Sequence, residues 1–357
     1  MDKNITFLFL QGLEEHVAYA PILNDFRRST GQHCNASTDA MFFATSSIDW
    51  GRRPWTIVML EDDRMVGAVM LREAVKCSIP TGFFFASDAA GEQFVLAFPS
   101  HYKEILELCI KAMIQRKPSA VIFLETKANH SQANWGELKY GSAQREVRYR
   151  LPIYQTVDET VRELSTRTKK NLRYYVVSAR RAGMTFHPTL SHKQRQEAVT
   201  SLHSFSDYRI SEHGVSAILE AVDRTQHTFA MGLQSATGEW LSLAVSWRDG
   251  GTTYVFFLMH HLGYRKASLS TTMRSLIVNY EVERGSDELI LAGGTGVVIG
   301  RSCVPDICHS LLLARRSWRL ALVARVGRRR APERPLRKFL EQKKQQTQAY
   351  LFQEPAI

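Results

Sequence analysis

Residues Thr252–Gly294 read TTYVFFLMHHLGYRKASLSTTMRSLIVNYEVERGSDELILAGG. The β-branched and aromatic run Thr252–Met259 predicts a strand, and the basic, hydroxyl-rich run His260–Ser268 predicts a loop. Leu269, Met273, Leu276, Ile277 and Tyr280 recur at helical spacing, with Gly285 as the stop. Leu289–Ala292 is a second short strand. This order sets unpaired N–H groups and the positive end of a helix dipole at the end of a strand. Such a place suits an anion, and the same order also serves ordinary βαβ packing.

Working outward, a hairpin is expected at Thr228–Gln234 and Trp240–Trp247, turning at Thr237-Gly238. Before it lie a capping-box pattern at Thr156–Glu159, a basic helix over Arg167–Gly183, a short strand at Met184–His187, and helices at Ser191–Ser206 and Glu212–Arg224. The first half repeats the order. Trp55–Leu60 and Met65–Leu71 flank the turn Glu61–Arg64, and a strand at Gly82–Phe85 follows. A helix capped by Ser100 is stopped by Lys117-Pro118, and Ala120–Leu124 is the next strand. Ile5–Leu10 reads as a strand, Tyr19–Arg28 as a helix with Pro21 confined to its first turn, and Ser29–Asp49 as a long loop with one helical turn. Hairpin, strand, helix, strand occurs twice, which predicts two similar α/β (α+β) domains in tandem, each a mixed, mostly antiparallel sheet flanked by helices. The expected boundaries are 1–150, 151–312 and a basic tail, 313–357.

The chain has 357 residues, 44% of them apolar and 23% charged, the composition of a water-soluble globular protein. No long apolar run predicts a membrane span, and the start lacks a signal-peptide pattern. Five scattered cysteines (Cys34, Cys77, Cys109, Cys303, Cys308) form no CxxC pair, so reduced thiols in a cytoplasm and no metal are expected. The net charge of +11 is concentrated near the C-terminus and attracts nucleic acid, acidic lipid or a polyanionic cofactor.

Two segments carry a family likeness. Ser165-Thr-Arg-Thr-Lys-Lys-Asn-Leu-Arg173, followed by Ala179–Phe186, resembles a signature of the tandem GNAT acyltransferases. That branch holds cellulose-biosynthesis-type (CelD-like) acetyltransferases and FemAB-like aminoacyltransferases. Leu202-His203 sits where the group often has a Leu-His pair, and Tyr264–Ser268 with its helix looks like the group's donor-loop block. Three departures stand out. Ser268-Leu269-Ser270 replaces a Ser-Pro-Gly or Gly-x-Gly turn. Ile290 stands where an Asp is usual, and Thr295-Gly296-Val297 replaces a Tyr-Lys pair.

The resemblance implies an acyl-CoA donor, acetyl-CoA in the simplest case, and an amine or hydroxyl acceptor on a small molecule, sugar or cell-envelope precursor. The alternatives are an aminoacyl-tRNA donor, or a degenerate fold that only binds. Donor binding is expected from the backbone at Phe257 and Leu258 and from Arg265, Lys266, Ala267, Ser268, Ser270, Thr271 and Thr272. His260, Tyr264 and Tyr208 are the candidates for acid–base work, Tyr264 as the proton source for a leaving thiolate. His203, Asp207, Trp247 and Arg173 are the acceptor-side candidates. The basic helix reads as a solvated face or a site for a phosphorylated acceptor or RNA. The tail from Leu311 reads as packing, a membrane-surface contact or an RNA contact.

Overall fold

The structure is a computed structural model that describes residues 4–31, 39–49, 51–88, 93–127, 135, 138–162, 166–203, 219, 223, 228–291 and 303–315. Two compact units share the chain. One comprises Met1–Gln32, Gly51–Glu146 and Ile307–Ile357; the other comprises His33–Trp50 and Val147–Asp306.

The first unit opens with β1 (Ile5–Gln11) and α1 (Leu13–Ser29). Next in the chain, α2 (Ala40–Asp49) belongs to the second unit. The chain then returns for β2 (Arg52–Glu61), β3 (Arg64–Lys76), β4 (Ile79–Ser87), β5 (Val95–Leu96), α3 (Tyr102–Arg116) and β6 (Val121–Thr126). Strand β7 (Lys139–Pro152) carries the chain into the second unit. There follow α4 (Val157–Thr160), α5 (Thr166–Arg181), β8 (Thr185–His187), α6 (His192–His203), β9 (Thr228–Gln234), β10 (Trp240–Asp249), β11 (Thr252–His260), α7 (Leu269–Arg284) and β12 (Glu288–Leu291). The last strand, β13 (Val304–Ala314), brings the chain back to the first unit.

In the first unit the strand order is β1-β2-β3-β4-β6-β13, with β5 beside β3. Only β4 and β6 run parallel. In the second unit residues 147–152 of β7 begin the order β7-β12-β11-β10-β9-β8, and only β11 and β12 are parallel. Both units are therefore α+β with mixed, mostly antiparallel sheets. In each, hairpin, strand, helix and strand follow in that order. The parallel pair is the one joined through a helix, because only a crossover can return a strand in the same direction.

Side-chain size and turn chemistry set these elements. The β2–β3 turn places Asp62 and Asp63 at φ 48° and 63°, which matches the twist of a two-residue hairpin. Cys77 and Ser78 do the same between β3 and β4, a hairpin that no Gly or Asn announces. Helix α3 lies close on β3 because position 67 is glycine. A Cβ there would meet Ile105 Cγ2 at 2.6 Å. In the second unit Met273, Ile277 and Val278 of α7 cover Leu258, Leu289 and Leu291, while Val199 and Leu202 of α6 cover Leu243 and Val245 on the other face.

Four readings change. Helix α1 starts at Leu13, so Pro21 lies well inside it rather than in its first turn. Buried His16, Ala20 and Leu23 anchor this helix, and His16 Nε2 lies 2.8 Å from Thr56 Oγ1, holding it despite the missing N–H. The loop expected over 29–49 contains α2, whose Phe42 packs against Trp247. Residues 311–314, read as the start of a tail, are the paired and buried end of β13. Ser100 makes no side-chain cap on α3. Most of the helix expected at 212–224, and the basic tail beyond residue 315, lie outside the described residues.

Among the described residues no helix is long and apolar enough to cross a membrane. A Gly67→Ala substitution is expected to cost about 1–3 kcal/mol through overpacking on Ile105, read as a lower urea midpoint. An additional Ile105→Val change should restore part of it, and a full-stability Gly67→Ala protein would contradict this packing.

Candidate functional site

Among the described residues the parallel strands β11 and β12 pair over Thr252–Val255 with Glu288–Leu291. Just beyond, the register of β11 with β10 shifts: Val255 faces Ser246, Phe257 faces Val245, and Phe256 is the extra residue of a bulge. Side chains of Phe257 and Leu258 are buried in the core, so any contact with a ligand there is through the backbone.

Strand β11 ends at His260 and runs through a 3-10 turn, Leu262–Ala267, to Ser268. Ser268 adopts the left-handed conformation, φ 44° and ψ 51°, which costs a non-glycine residue about 1 kcal/mol or more. Its carbonyl accepts from the N–H groups of Thr271 (2.8 Å) and Thr272 (3.0 Å), and its hydroxyl donates to Thr271 Oγ1 (3.2 Å). The side chain makes no cap bond to the backbone, and the first turn of α7 contains no acidic residue. One turn on, the buried guanidinium of Arg274 donates to the hydroxyl and carbonyl of Ser270. A cation in the N-terminal half of a helix opposes the dipole. Here both add to the positive potential at the loop.

Two histidines end the strand with different surroundings. His260 Nδ1 lies 2.9 Å from Oγ of fully buried Ser242. Burial, helped by the charge of Arg274, brings its pKa down to about 4, so the ring is neutral at physiological pH. His261 is buried. Its Nδ1 accepts from Gly263 N–H (3.0 Å), and its Nε2 faces Glu239 Oε1 at 3.2 Å. The other oxygen of Glu239 accepts from Tyr264 O–H at 2.7 Å, a bond that raises the phenol's pKa. Glu239 thus clamps the loop through two side chains. With both nitrogens engaged, His261 has a structural role.

The structure gathers His260, Tyr264, Ser268, Ser270, Thr271 and Thr272 along the loop and the first turn of α7. Arg265, Lys266 and Ala267 lie in the same 3-10 turn, with side chains outside those described. Trp247 is buried in an aromatic group, stacked on Tyr254 (5.1 Å between centroids) and tilted on Phe256 (4.7 Å). Arg173 sits on the exposed side of α5, paired with Asp158, beside the middle of α7 rather than its start. His203 ends α6, its side chain not among those described. Asp207 and Tyr208 lie outside the described residues. Arg274, Ser242 and Glu239 are additions. The spacing Ser270–Arg274 is visible in sequence, but Ser242 and Glu239 reach the loop only through the β10–β11 pairing. Among the described residues no group of three or more His, Cys, Asp or Glu is placed to hold a metal ion.

No protein-family model matches the chain, and no curated protein matches it. Solved structures do. FemX superposes with a TM-score of 0.55 at 11% identity, over 85% of this chain and 98% of its own. L-PGS from Bacillus licheniformis gives 0.53 at 12%, over 84% and 93%. A tandem GNAT protein from the clavulanic acid biosynthesis pathway gives 0.47 at 10%, over 87% and 98%. At such identities the likeness is one of fold. The chain is built like FemX and L-PGS.

The neutral state of His260 has two consequences. Its folded pKa lies below the unfolded value of 6.5, so its contribution to stability is complete above that value. The contribution is lost as pH falls from there through about 4. Long-range 1H–15N NMR spectra should show no titration of this ring between about pH 8 and 5; a midpoint above 6 would refute the burial argument. Separately, Ser268→Gly should leave stability unchanged or raise it by up to about 1 kcal/mol, whereas Ser268→Val should lower it. Urea melts of the three proteins decide, and a large loss in the glycine variant would rule out the left-handed conformation.

Proposed function

We propose that this protein is an acyltransferase that moves an acyl group, acetyl in the simplest case, from acyl-CoA to an amine or hydroxyl. The acceptor class is a small molecule, sugar or cell-envelope precursor. One observation carries the reading. Strand β11 leads through a short turn into a helix start with no acidic residue and with a buried arginine behind it. A long donor with an amide-bearing arm and a phosphorylated end matches both halves of that feature.

In this reading the arm lies along residues 256–260 of β11, with the backbone of Phe257 and Leu258 as its partners. The phosphates sit on the first-turn N–H groups of α7 and on Ser268, Ser270, Thr271 and Thr272, with Arg265 and Lys266 beside them and Arg274 beneath. The donor supplies an activated thioester carbonyl. The acceptor's nitrogen or oxygen attacks that carbon, the C–S bond breaks, and CoA leaves as the thiol. With the Ser242 hydroxyl donating into Nδ1, the neutral His260 ring keeps its proton on Nε2. It then offers a hydrogen bond to the carbonyl oxygen as negative charge grows there, a role worth roughly 10²–10³ in rate when such a donor is well placed. Tyr264 is protonated at neutral pH, and its O–H, held by Glu239 in this state, serves as the general acid for the thiolate by turning from Glu239 to the sulfur. Tyr208 remains an acid–base candidate, and Asp207, His203, Trp247 and Arg173 remain the acceptor-side candidates. The buried thiol of Cys109 fits a reducing cytoplasm.

Acetyl-CoA and CoA are expected to raise the melting temperature of the purified protein. Ser270→Ala and Arg274→Met should each weaken the donor at least tenfold in calorimetry. The urea midpoint of Ser270→Ala should hold steady, which separates lost binding from lost folding. An aminoacyl-tRNA donor predicts a different pattern: no response to CoA, and tRNA binding that weakens steeply with salt. That outcome, or indifference to both, overturns the CoA reading.

A further inference from the structure

Helix α5 has a face that the donor-site reading does not use. Its sequence, TRTKKNLRYYVVSARR, contains no Asp or Glu. Leu172, Val176 and Ala179 are buried on its inner side. On its outer side Lys170, Tyr174, Val177 and Arg181 follow one another at helical spacing, with Arg180 beside them, all exposed. Tyr174 is 62% exposed and Val177 43%, so an aromatic and an aliphatic side chain stand together among the cations. Among the described residues Arg173 is the one cation of α5 with a carboxylate partner, Asp158. The remaining positive charge faces outward around two bare apolar side chains.

A second feature adjoins this face. Between α5 and α7 lies a slot of about 130 Å³, walled by Val161, Leu172, Val176 and Val278, with Lys169 and Arg173 also lining it. Val177 belongs both to the slot and to the exposed stripe. Its lining is almost wholly apolar, so it offers water few partners. Cations next to an aliphatic slot and an exposed tyrosine match a partner that is anionic at its surface and hydrocarbon just below it. A nucleic acid would use the charges and stack on Tyr174, but it has no group for an aliphatic slot. A bilayer with acidic headgroups has both parts, and tyrosine and basic residues favour that boundary.

We propose that α5 docks this protein on the surface of a bilayer containing anionic phospholipid. Tyr174 and Val177 enter the headgroup layer, hydrocarbon covers the slot beside Val177, and Lys170, Arg180 and Arg181 meet the phosphates. The proposal does not rest on the acyl-donor reading, because it concerns a different face and is tested by binding alone.

The test uses the full chain and sedimentation with vesicles of phosphatidylcholine alone, or with about 30% phosphatidylserine, an acidic surface of the kind that attracts basic segments. Binding to the acidic vesicles, weakened by salt, and little binding to the neutral ones is expected. The double variant Tyr174→Ser, Val177→Asp should bind the acidic vesicles at least tenfold more weakly, with its urea midpoint and its response to CoA unchanged. Lys170→Gln with Arg181→Gln should weaken binding and flatten its salt dependence. Equal binding by wild type and the double variant would overturn the proposal, because another surface would then be responsible. Absence of vesicle binding would also overturn it, as would a double variant that loses tRNA binding while keeping vesicle binding.

Discussion

A fully buried carboxylate holds the second unit's strand–helix–strand together at one end. Glu281, near the end of α7, accepts from Arg248 Nη2 (3.0 Å) on β10, Thr253 Oγ1 (2.8 Å) on β11 and Ser286 Oγ (2.5 Å) just before β12. Four elements converge on one side chain. Arg248 lies over the Phe229 ring at 4.0 Å, so its charge is sandwiched as well as paired. Removing one partner from such a pair leaves an uncompensated buried charge, a loss of roughly 3–5 kcal/mol. The first unit has the same device from different residues. Glu73 of β3, also fully buried, accepts from Trp55 Nε1, the Gly82 N–H and Lys117 Nζ, and Lys117 lies over the Trp55 and Phe84 rings. In each unit the start of the first parallel strand is thereby fixed to the end of the crossover helix.

Fixing that end leaves the other free to differ. In the second unit the helix opens on hydroxyls and a buried arginine. The first unit fills the equivalent place with acid. Its parallel pairing runs through Ser87 and Glu125, and Asp88 follows at once, accepting from Tyr102 O–H (3.0 Å) in the first turn of α3. Burial lifts Asp88 to about 6. Two buried carboxyl groups at a strand end repel a phosphate, so the difference between the units is electrostatic more than architectural.

Local pattern carried most of the fold. The hairpins β2–β3 and β9–β10, helix α7 and its stop at Gly285 follow from alternation, helical spacing and turn residues that act within a few positions. What pattern did not carry depends on distant pairing. Helix α2 joins the second unit because Phe42 finds Trp247 and Phe256, about two hundred residues away in sequence. Strand β13 was hidden among the cations of the tail, since its apolar end, Leu311–Ala314, needs β6 beside it to be a strand. At the site, the loop's own hydroxyls were legible. Glu239 and Ser242 were not, because each reaches the loop only once β10 lies against β11. Arg274 was overlooked for a simpler reason: a basic residue on a helix reads as solvent-facing until its burial is known.

The loop's missing glycines separate two demands that a Gly-x-Gly turn meets together. One is a left-handed backbone at the start of the helix. The other is room for a phosphate to approach where a side chain would stand. Ser268 meets the first, since it takes φ 44° at a cost that the Thr271 and Thr272 bonds to its carbonyl help to offset. It cannot meet the second, because its Cβ remains. At Ser270, the other end of the turn, the side chain is drawn away by Arg274. The backbone thus keeps the left-handed start of the helix while hydroxyls line its surface. An anion placed there would meet O–H donors and charge from beneath, and would stand further from the main chain than it would on glycine. Serine in place of glycine alters the distance and chemistry of such a contact more than the path of the chain.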